Sequence, residues 1–219
     1  MKIILEWDDL NPNPNVDCLP IIDKLVGQFP KIVLNFFTVP IYGHTQLSYS
    51  IKWCDRIRTH IDNGNVVLGV HGTYHSFREY ALYDYPHSAI NLKHSHDKFN
   101  EAKLPFVKCF RGPYWGICEG SVEALIDMGY THLYSHKEYT TLNEKYADRI
   151  KIVYYNWNMK DEWPKLENPL ESDIVVAHGH TAQWPHLSCG NGIWECYDRL
   201  CSFIDSQDNI EFLRIDQYE

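Results

Sequence analysis

The amino-acid sequence predicts a distorted (β/α)7-type barrel, one α/β domain spanning residues 1–219. Three observations lead there. Apolar, β-branched runs recur with helix-like stretches between them, as in parallel βα units. About seven or eight such units fit the chain length, which suits an irregular barrel better than an open doubly wound sheet, the remaining alternative. Several runs also end in polar, chemically capable residues, and parallel βα architectures gather their active sites at the C-terminal ends of strands.

In chain order, strands are expected over 2–7, 31–37, 66–70, 106–110, 131–134, 150–155, 173–177 and 210–214. Ile3-Ile4-Leu5, Val66-Val67-Leu68-Gly69-Val70 and Val175-Val176-Ala177 carry the pattern most clearly. Helices are expected over 17–28, 46–62, 88–102, 121–128 and 192–206. Asn63-Gly64 is a stop signal for the second helix. The fourth is bracketed by Ser121 as a cap, with Glu123 in its first turn, and by Gly129 at its end. Residues 135–149 and 158–172 read as long loops, and Pro12, Pro14, Pro164 and Pro169 punctuate loop regions. No Gly/Ser linker, low-complexity tract or internal repeat is visible.

Composition narrows the function classes. A hydrophobic fraction of 44% is enough for a sizeable core. The 15 Tyr and 7 Trp suit a large core with amphipathic surface rings, or a ring-lined pocket of the kind that binds carbohydrate. A net charge of −9 without any basic block argues against a nucleic-acid partner. The apolar stretch Ile3–Leu5 ends at Glu6, too short for the core of a signal peptide, and no apolar run could span a membrane. Seven Cys without a CxxC motif read as reduced thiols, so a cytoplasmic location is expected. Cys196 and Cys201 fall in an expected helix and read as packing residues rather than ligands.

Four strings carry the chemistry. Asp8-Asp9 follows the first strand; adjacent carboxylates repel, and a cation relieves the repulsion. His71-Gly72-Thr73-Tyr74-His75 follows the third, and two imidazoles with one carboxylate can form a metal site with open positions. Arg111, in Phe110-Arg111-Gly112-Pro113-Tyr114-Trp115, offers a planar fork for a carboxylate. His178 and His180 end the Val175–Ala177 run; one could act as a general acid, both could bind a metal of their own, and His180 is expected to be a plain loop residue. Read for chemistry alone, the set points to metal-assisted hydrolysis.

Taken in order, these strings resemble the polysaccharide deacetylase family, the NodB-homology or carbohydrate esterase 4 group, over residues 3 to about 180. The resemblance implies roles position by position. Asp8 matches the general base, and Asp9, His71 and His75 match the metal triad, for zinc or another divalent ion such as Co2+, Ni2+ or Fe2+. Arg111 matches the residue that holds the base, and Tyr114 supplies a backbone N–H to the oxyanion. His178 matches the general acid, with Asp161 raising its pKa so that it is charged near neutral pH; Asn156 or Asn158 are the alternatives to Asp161. Val176 matches an acetyl-pocket residue, and Trp115, Trp157 and Trp163 are candidates to stack on sugar rings. Leu10 and Gly72 stand where the family has Gly and Ser or Thr. The implied activity is removal of an N-acetyl, or an O-acetyl, group from a sugar or polysaccharide. The alternatives are a degenerate carbohydrate-binding barrel and a hydrolase of a non-sugar amide or formamide.

Overall fold

The sheet is built around its first strand. The computed structural model describes residues 1–137, 140–160, 173–182 and 192–219. Strand β1 (Lys2–Leu10) is buried at every position except Lys2. On one side it pairs in parallel with β2 (Leu34–Thr38), which is followed by β5 (Val66–Val70), β6 (Cys109–Arg111), β7 (His132–Ser135) and β8 (Lys151–Tyr154). On the other side lie β10 (Ile174–His180) and then β9 (Trp157–Asn158). A short β11 (Glu211–Phe212) also pairs with the start of β1. The connections carry the helices α1 (Leu19–Gln28), α2 (Ile51–Asp62), α3 (Tyr85–Glu101), α4 (Glu119–Asp127), α5 (Thr140–Tyr146) and α6 (Ile193–Asp205). A parallel sheet covered in this way must be apolar on both faces, and its strands read as nearly continuous hydrophobic runs.

Alternation along the strands divides the molecule into an outer core and an interior. Ile3, Leu5 and Trp7 of β1, with Leu34 and Phe36 of β2, face outward and pack with Ile21, Ile22 and Leu25 of α1 and Leu200, Phe203 and Ile204 of α6. Ile4, Phe37, Val67, Cys109, Tyr134, Val153 and Val176 form a second cluster on the opposite face. The sheet curls around that second face. Arg111 on β6 hydrogen-bonds to His178 on β10 at 3.0 Å, although β5, β2 and β1 lie between them in the strand order. Four inter-strand steps in a flat sheet would set these strands about 19 Å apart. The outcome is a half-barrel of parallel strands with flanking helices, as the strand pattern predicts.

The floor of the half-barrel is closed by the segment after β11. Ile215 is fully buried in the interior cluster. The Tyr134 hydroxyl donates to the Ile215 carbonyl at 2.8 Å. Asn35, buried on β2, donates to the carbonyls of Leu5 and Leu213 and accepts from the Ile215 amide at 2.8 Å. One amide side chain thus ties β1, β2 and the floor segment together through three backbone groups.

Local chemistry explains where the elements depart from the sequence expectations. The helix expected over 46–62 starts at Ile51, because Gly43, at φ 59°, turns the chain into a hairpin of β3 (Ile41–Tyr42) and β4 (Thr45–Gln46). It ends at Asn63-Gly64 as expected, with Gly64 at φ 80°. The helix expected from 88 starts at Tyr85, since Asp84 caps it through the His87 amide and Pro86 sits in its first turn. Ser121 lies inside α4 rather than capping it; its hydroxyl donates to the Tyr80 carbonyl and fastens the helix to the neighbouring loop. The loop expected over 135–149 contains α5. β1, β6 and β10 each extend past the expected strand ends, so Asp8, Asp9, Arg111, His178 and His180 belong to the strands themselves. Six cysteines among the described residues are free thiols, and no described helix is long and apolar enough to cross a membrane.

Replacing Asn35 by Leu should leave the buried Ile215 amide without its partner and lower the stability by about 1–3 kcal/mol. Urea denaturation checks this; an unchanged midpoint would mean that the floor segment is not held through Asn35.

Candidate active site

The interior face of β1 presents Ile4, then Glu6, then Asp8, so polarity rises toward the C-terminal mouth. β10 runs alongside in register, Glu6 opposite His178 and Asp8 opposite His180. In a regular strand Asp9 would point to the outer core. Instead the pairing with β2 shifts register between Asp8 and Leu10, and Asp9 takes φ 75°. This bulge turns both carboxylates into one site, and Asp tolerates the left-handed region better than most residues.

His71 is placed at the end of β5 by its amide, which donates to the Thr38 carbonyl at 3.0 Å. Gly72 follows at φ 65°, and a Cβ there would meet Pro113 Cγ at 2.6 Å. The loop then folds over Glu79, a buried carboxylate that accepts from the amides of Thr73 at 2.7 Å, Tyr74 at 3.2 Å and Ser76 at 3.2 Å. His75, at φ 53°, is carried back toward Asp9 by this turn. The two imidazoles meet through a strained loop, not through the face of a helical turn.

Asp9 Oδ1 lies 2.9 Å from His75 Nε2 and 3.4 Å from His71 Nε2. It is fully buried and receives no properly directed hydrogen bond. The His71 Nδ1–H donates to the Arg111 carbonyl at 3.0 Å, which leaves the Nε2 lone pair facing Asp9. Burial opposes charge on both groups, yet His75 and His71 hold Asp9 well below the usual carboxylate range, while Asp8 and Asp9 raise His71 above the ordinary imidazole value. Glu6 and Asp8 pair with the one guanidinium and Asp9 stands apart from it, so that with all three carboxylates ionised a divalent cation matches the remaining formal charge. The orphaned Oδ1, the outward Nε2 and this charge balance fit a divalent ion held by Asp9, His71 and His75.

A second group, Asp8, His178 and His180, also brings three possible ligand atoms together. It fits a cation less well. Asp8 Oδ1 accepts from Arg111 Nη1 at 2.8 Å, and His178 Nδ1 lies 3.0 Å from the same nitrogen. Arginine only donates, so Nδ1 is the acceptor and a neutral His178 carries its hydrogen on Nε2, where a metal would otherwise bind.

Arg111 is the hub of this half of the site. Its Nη2 sits 2.5 and 2.6 Å from the two oxygens of Glu6. Its guanidinium lies 4.4 Å from the Phe37 ring centroid and 4.7 Å from that of Trp115. Trp115 also meets His178 edge-on at 4.9 Å. Tyr114 and Trp115 are consecutive residues at positive φ, 54° and 61°, which sends the Tyr114 ring outward beside His75 and the Trp115 ring inward.

The structure thus brings together Asp8, Asp9, His71, His75, Arg111, Tyr114, Trp115 and His178, with Val176 one interior layer below His178. It does not bring Trp157, which packs with the outer core at the position paired with Ala177. Asp161 and Trp163 lie outside the described residues. Asn156 is committed to the Val176 amide and the Ile174 carbonyl, and Asn158 accepts from the Lys160 amide. His180 is a strand residue, not a loop residue. Burial pushes the His178 pKa well below the ordinary imidazole value, and Arg111 acts in the same direction against Asp8, while Asp161, the group expected to raise it, lies outside the described residues. Sequence reasoning missed Glu6 and Glu79. The signal for Glu6 was its i, i+2 spacing from Asp8 on one strand face; Glu79 carried no comparable signal.

No protein-family model matches the chain, and no curated protein matches it in sequence. Solved structures with the same fold include polysaccharide deacetylases of low sequence identity and the 4-alpha-glucanotransferase of Thermococcus litoralis, which superposes with a TM-score of 0.64 at 14% identity, covering 100% of this chain and 40% of that one. The chitin deacetylase of Colletotrichum lindemuthianum superposes with a TM-score of 0.60 at 18% identity, covering 92% of this chain and 81% of that one. The peptidoglycan deacetylase of Bacillus subtilis gives 0.60 at 12%, covering 98% and 88%. A carbohydrate esterase 4 pseudoenzyme of Bacillus anthracis gives 0.59 at 10%, covering 99% and 64%. The similarity is one of fold.

Glu79→Ala should release the loop that carries His75 and weaken divalent-ion binding by about tenfold or more. Calorimetric titration of metal-stripped protein with zinc checks this; unchanged affinity would mean that the loop keeps its shape without the carboxylate.

Proposed function

We propose that this protein is a metal-dependent hydrolase that removes an acetyl group, from nitrogen in the first instance, on a sugar or polysaccharide. The observation that carries the reading is the convergence of Asp9, His71 and His75 beside an Asp8–Arg111–His178 cluster at one mouth of the half-barrel. The fold shared with chitin and peptidoglycan deacetylases supports the same chemistry. O-acetyl groups and non-sugar amides are the competing substrates.

In this reading Asp9, His71 and His75 hold a divalent ion, zinc or another metal such as Co2+, Ni2+ or Fe2+. Such an ion supplies Lewis-acid polarisation of a carbonyl and of water. Asp8, whose Oδ1 is fixed by Arg111, is the base that takes a proton from the attacking water. The Tyr114 N–H, set outward by its left-handed backbone, donates to the developing oxyanion; one such donor is worth roughly 3 kcal/mol. His178 directs a ring N–H to the leaving-group side, and the half-buried Trp115 ring closes that side against water. Val176, fully buried beneath His178, offers an apolar floor for the acetyl methyl.

Elemental mass spectrometry of protein purified without chelator or His-tag should find about one divalent ion per chain. His75→Ala should lose the ion and any turnover together; stoichiometric metal in that variant would overturn the triad. Asp8→Asn should keep the ion and lose release of acetate from acetylated chito-oligosaccharides, and near-normal turnover would remove Asp8 as the base. Full metal occupancy with no turnover of any acetylated sugar or amide would instead favour a degenerate glycan-binding barrel; a pseudoenzyme stands among the structures of this fold.

A further inference from the structure

We infer that Glu6 is a positioning residue: it holds the Arg111 guanidinium from behind, so that Nη1 donates to both Asp8 and His178 Nδ1 and His178 is locked as the tautomer with its hydrogen on Nε2. The part that concerns turnover rests on the deacetylase reading; the part that concerns the tautomer does not.

The geometry is that of a relay with fixed ends. Glu6 is fully buried, and both of its oxygens are engaged by Nη2. That leaves Nη1 to reach Asp8 Oδ1 at 2.8 Å and His178 Nδ1 at 3.0 Å. Guanidinium has five donors and no acceptor, so the contact with Nδ1 has one polarity. His178 Nδ1 also lies 3.5 Å from Glu6 Oε1, a position at which a loosened Glu6 could draw a proton onto Nδ1 instead. The rings of Phe37 and Trp115, at 4.4 and 4.7 Å, restrain the guanidinium but cannot select its rotation within its own plane. A carboxylate behind it can.

A purely structural role accounts poorly for this arrangement. The interior cluster in which Glu6 sits is otherwise filled by Ile4, Phe37, Tyr134 and Val176, all well packed. Burying a further carboxylate there is costly, and an apolar residue of the same volume is often at least as stabilising. What Glu6 adds is direction. With it, the Asp8 carboxylate and the His178 ring are oriented by two hydrogens of one nitrogen, and the base and the leaving-group donor cannot move independently. Glu6 touches none of the proposed reacting atoms, so it acts through Arg111.

The test uses full-length 15N-labelled protein. Two-bond proton–nitrogen correlations distinguish the two neutral imidazole tautomers, and comparison with His178→Gln assigns the His178 signals. The wild type should show a protonated Nε2 and an accepting Nδ1. Glu6→Ala should let Arg111 turn away from Nδ1, so that His178 becomes a mixture of the two tautomers, and lower kcat on the order of a hundredfold with KM little changed. Glu6→Gln, which conserves volume and one acceptor oxygen, should keep the wild-type tautomer and recover much of the rate, and it remains informative if the alanine variant fails to fold. A wild-type His178 with hydrogen on Nδ1, or an unchanged tautomer in Glu6→Ala, would overturn the inference whatever the turnover. Loss of the tautomer in Glu6→Ala without turnover by any form of the protein would uphold the positioning role and overturn the deacetylase reading.

Discussion

Arg111 is the residue on which the rest of the site depends. It is fully buried, and it crosses the interior of a curled sheet to join β6 to β1 and β10. A lone guanidinium in such a place would be prohibitively expensive. It is tolerated because Glu6 and Asp8 neutralise it and three aromatic rings, those of Phe37, Trp115 and Tyr134, cover its faces. In turn it keeps two carboxylates apart from a third, Asp9, and so separates a cluster governed by hydrogen bonds from one suited to a cation. The curl of the sheet and the charge pattern of the site are therefore one constraint. A flatter sheet would leave Arg111 unpaired, and without Arg111 the carboxylates on β1 would repel.

The metal half of the site is made by backbone distortion. Asp9, Gly72 and His75 lie at positive φ, as do Arg78 and Tyr80 further along the same loop. Each non-glycine case costs of order 1–3 kcal/mol and persists only where the surroundings determine it. Glu79 provides much of that determination by gathering three loop amides onto one carboxylate. The ring of Tyr42, stacked on His75 at 5.5 Å, braces the loop from the other side, and burial together with Asp9 raises the Tyr42 phenol to about 12.

Much of this was legible in the residues. The βα rhythm pointed to the barrel class because buried parallel strands need unbroken apolar runs, such as Val66–Val70 and Val175–Ala177. Asp8, Asp9, His71, His75, Arg111 and His178 stood out because short strings of chemically capable residues closed those runs. What escaped was set by geometry with no one-dimensional trace. The bulge at Asp9 decides that neighbouring carboxylates share a face, and only the register with β2 reveals it. Trp157 looked like a sugar platform by type, but its place opposite Ala177 sends it to the outer core. The state of His178 depends on which partner reaches Nδ1, and that partner, Arg111, is 67 residues away.

The position of β1 bears on how the chain reaches this structure. The first strand of this sheet lies in its middle, and its neighbours β10 and β11 are separated from it by about 170 residues or more of sequence. Until those segments exist, one edge of a strand that is buried almost throughout has no ladder to join. Assembly is thus governed by late, long-range pairing, a pattern associated with slow folding and exposure to aggregation. In a growing chain, β1 and β2 with the helix between them form an incomplete layer; β10 then brings His178 to the polar cluster, and α6 and the segment after β11 complete the outer core and the floor.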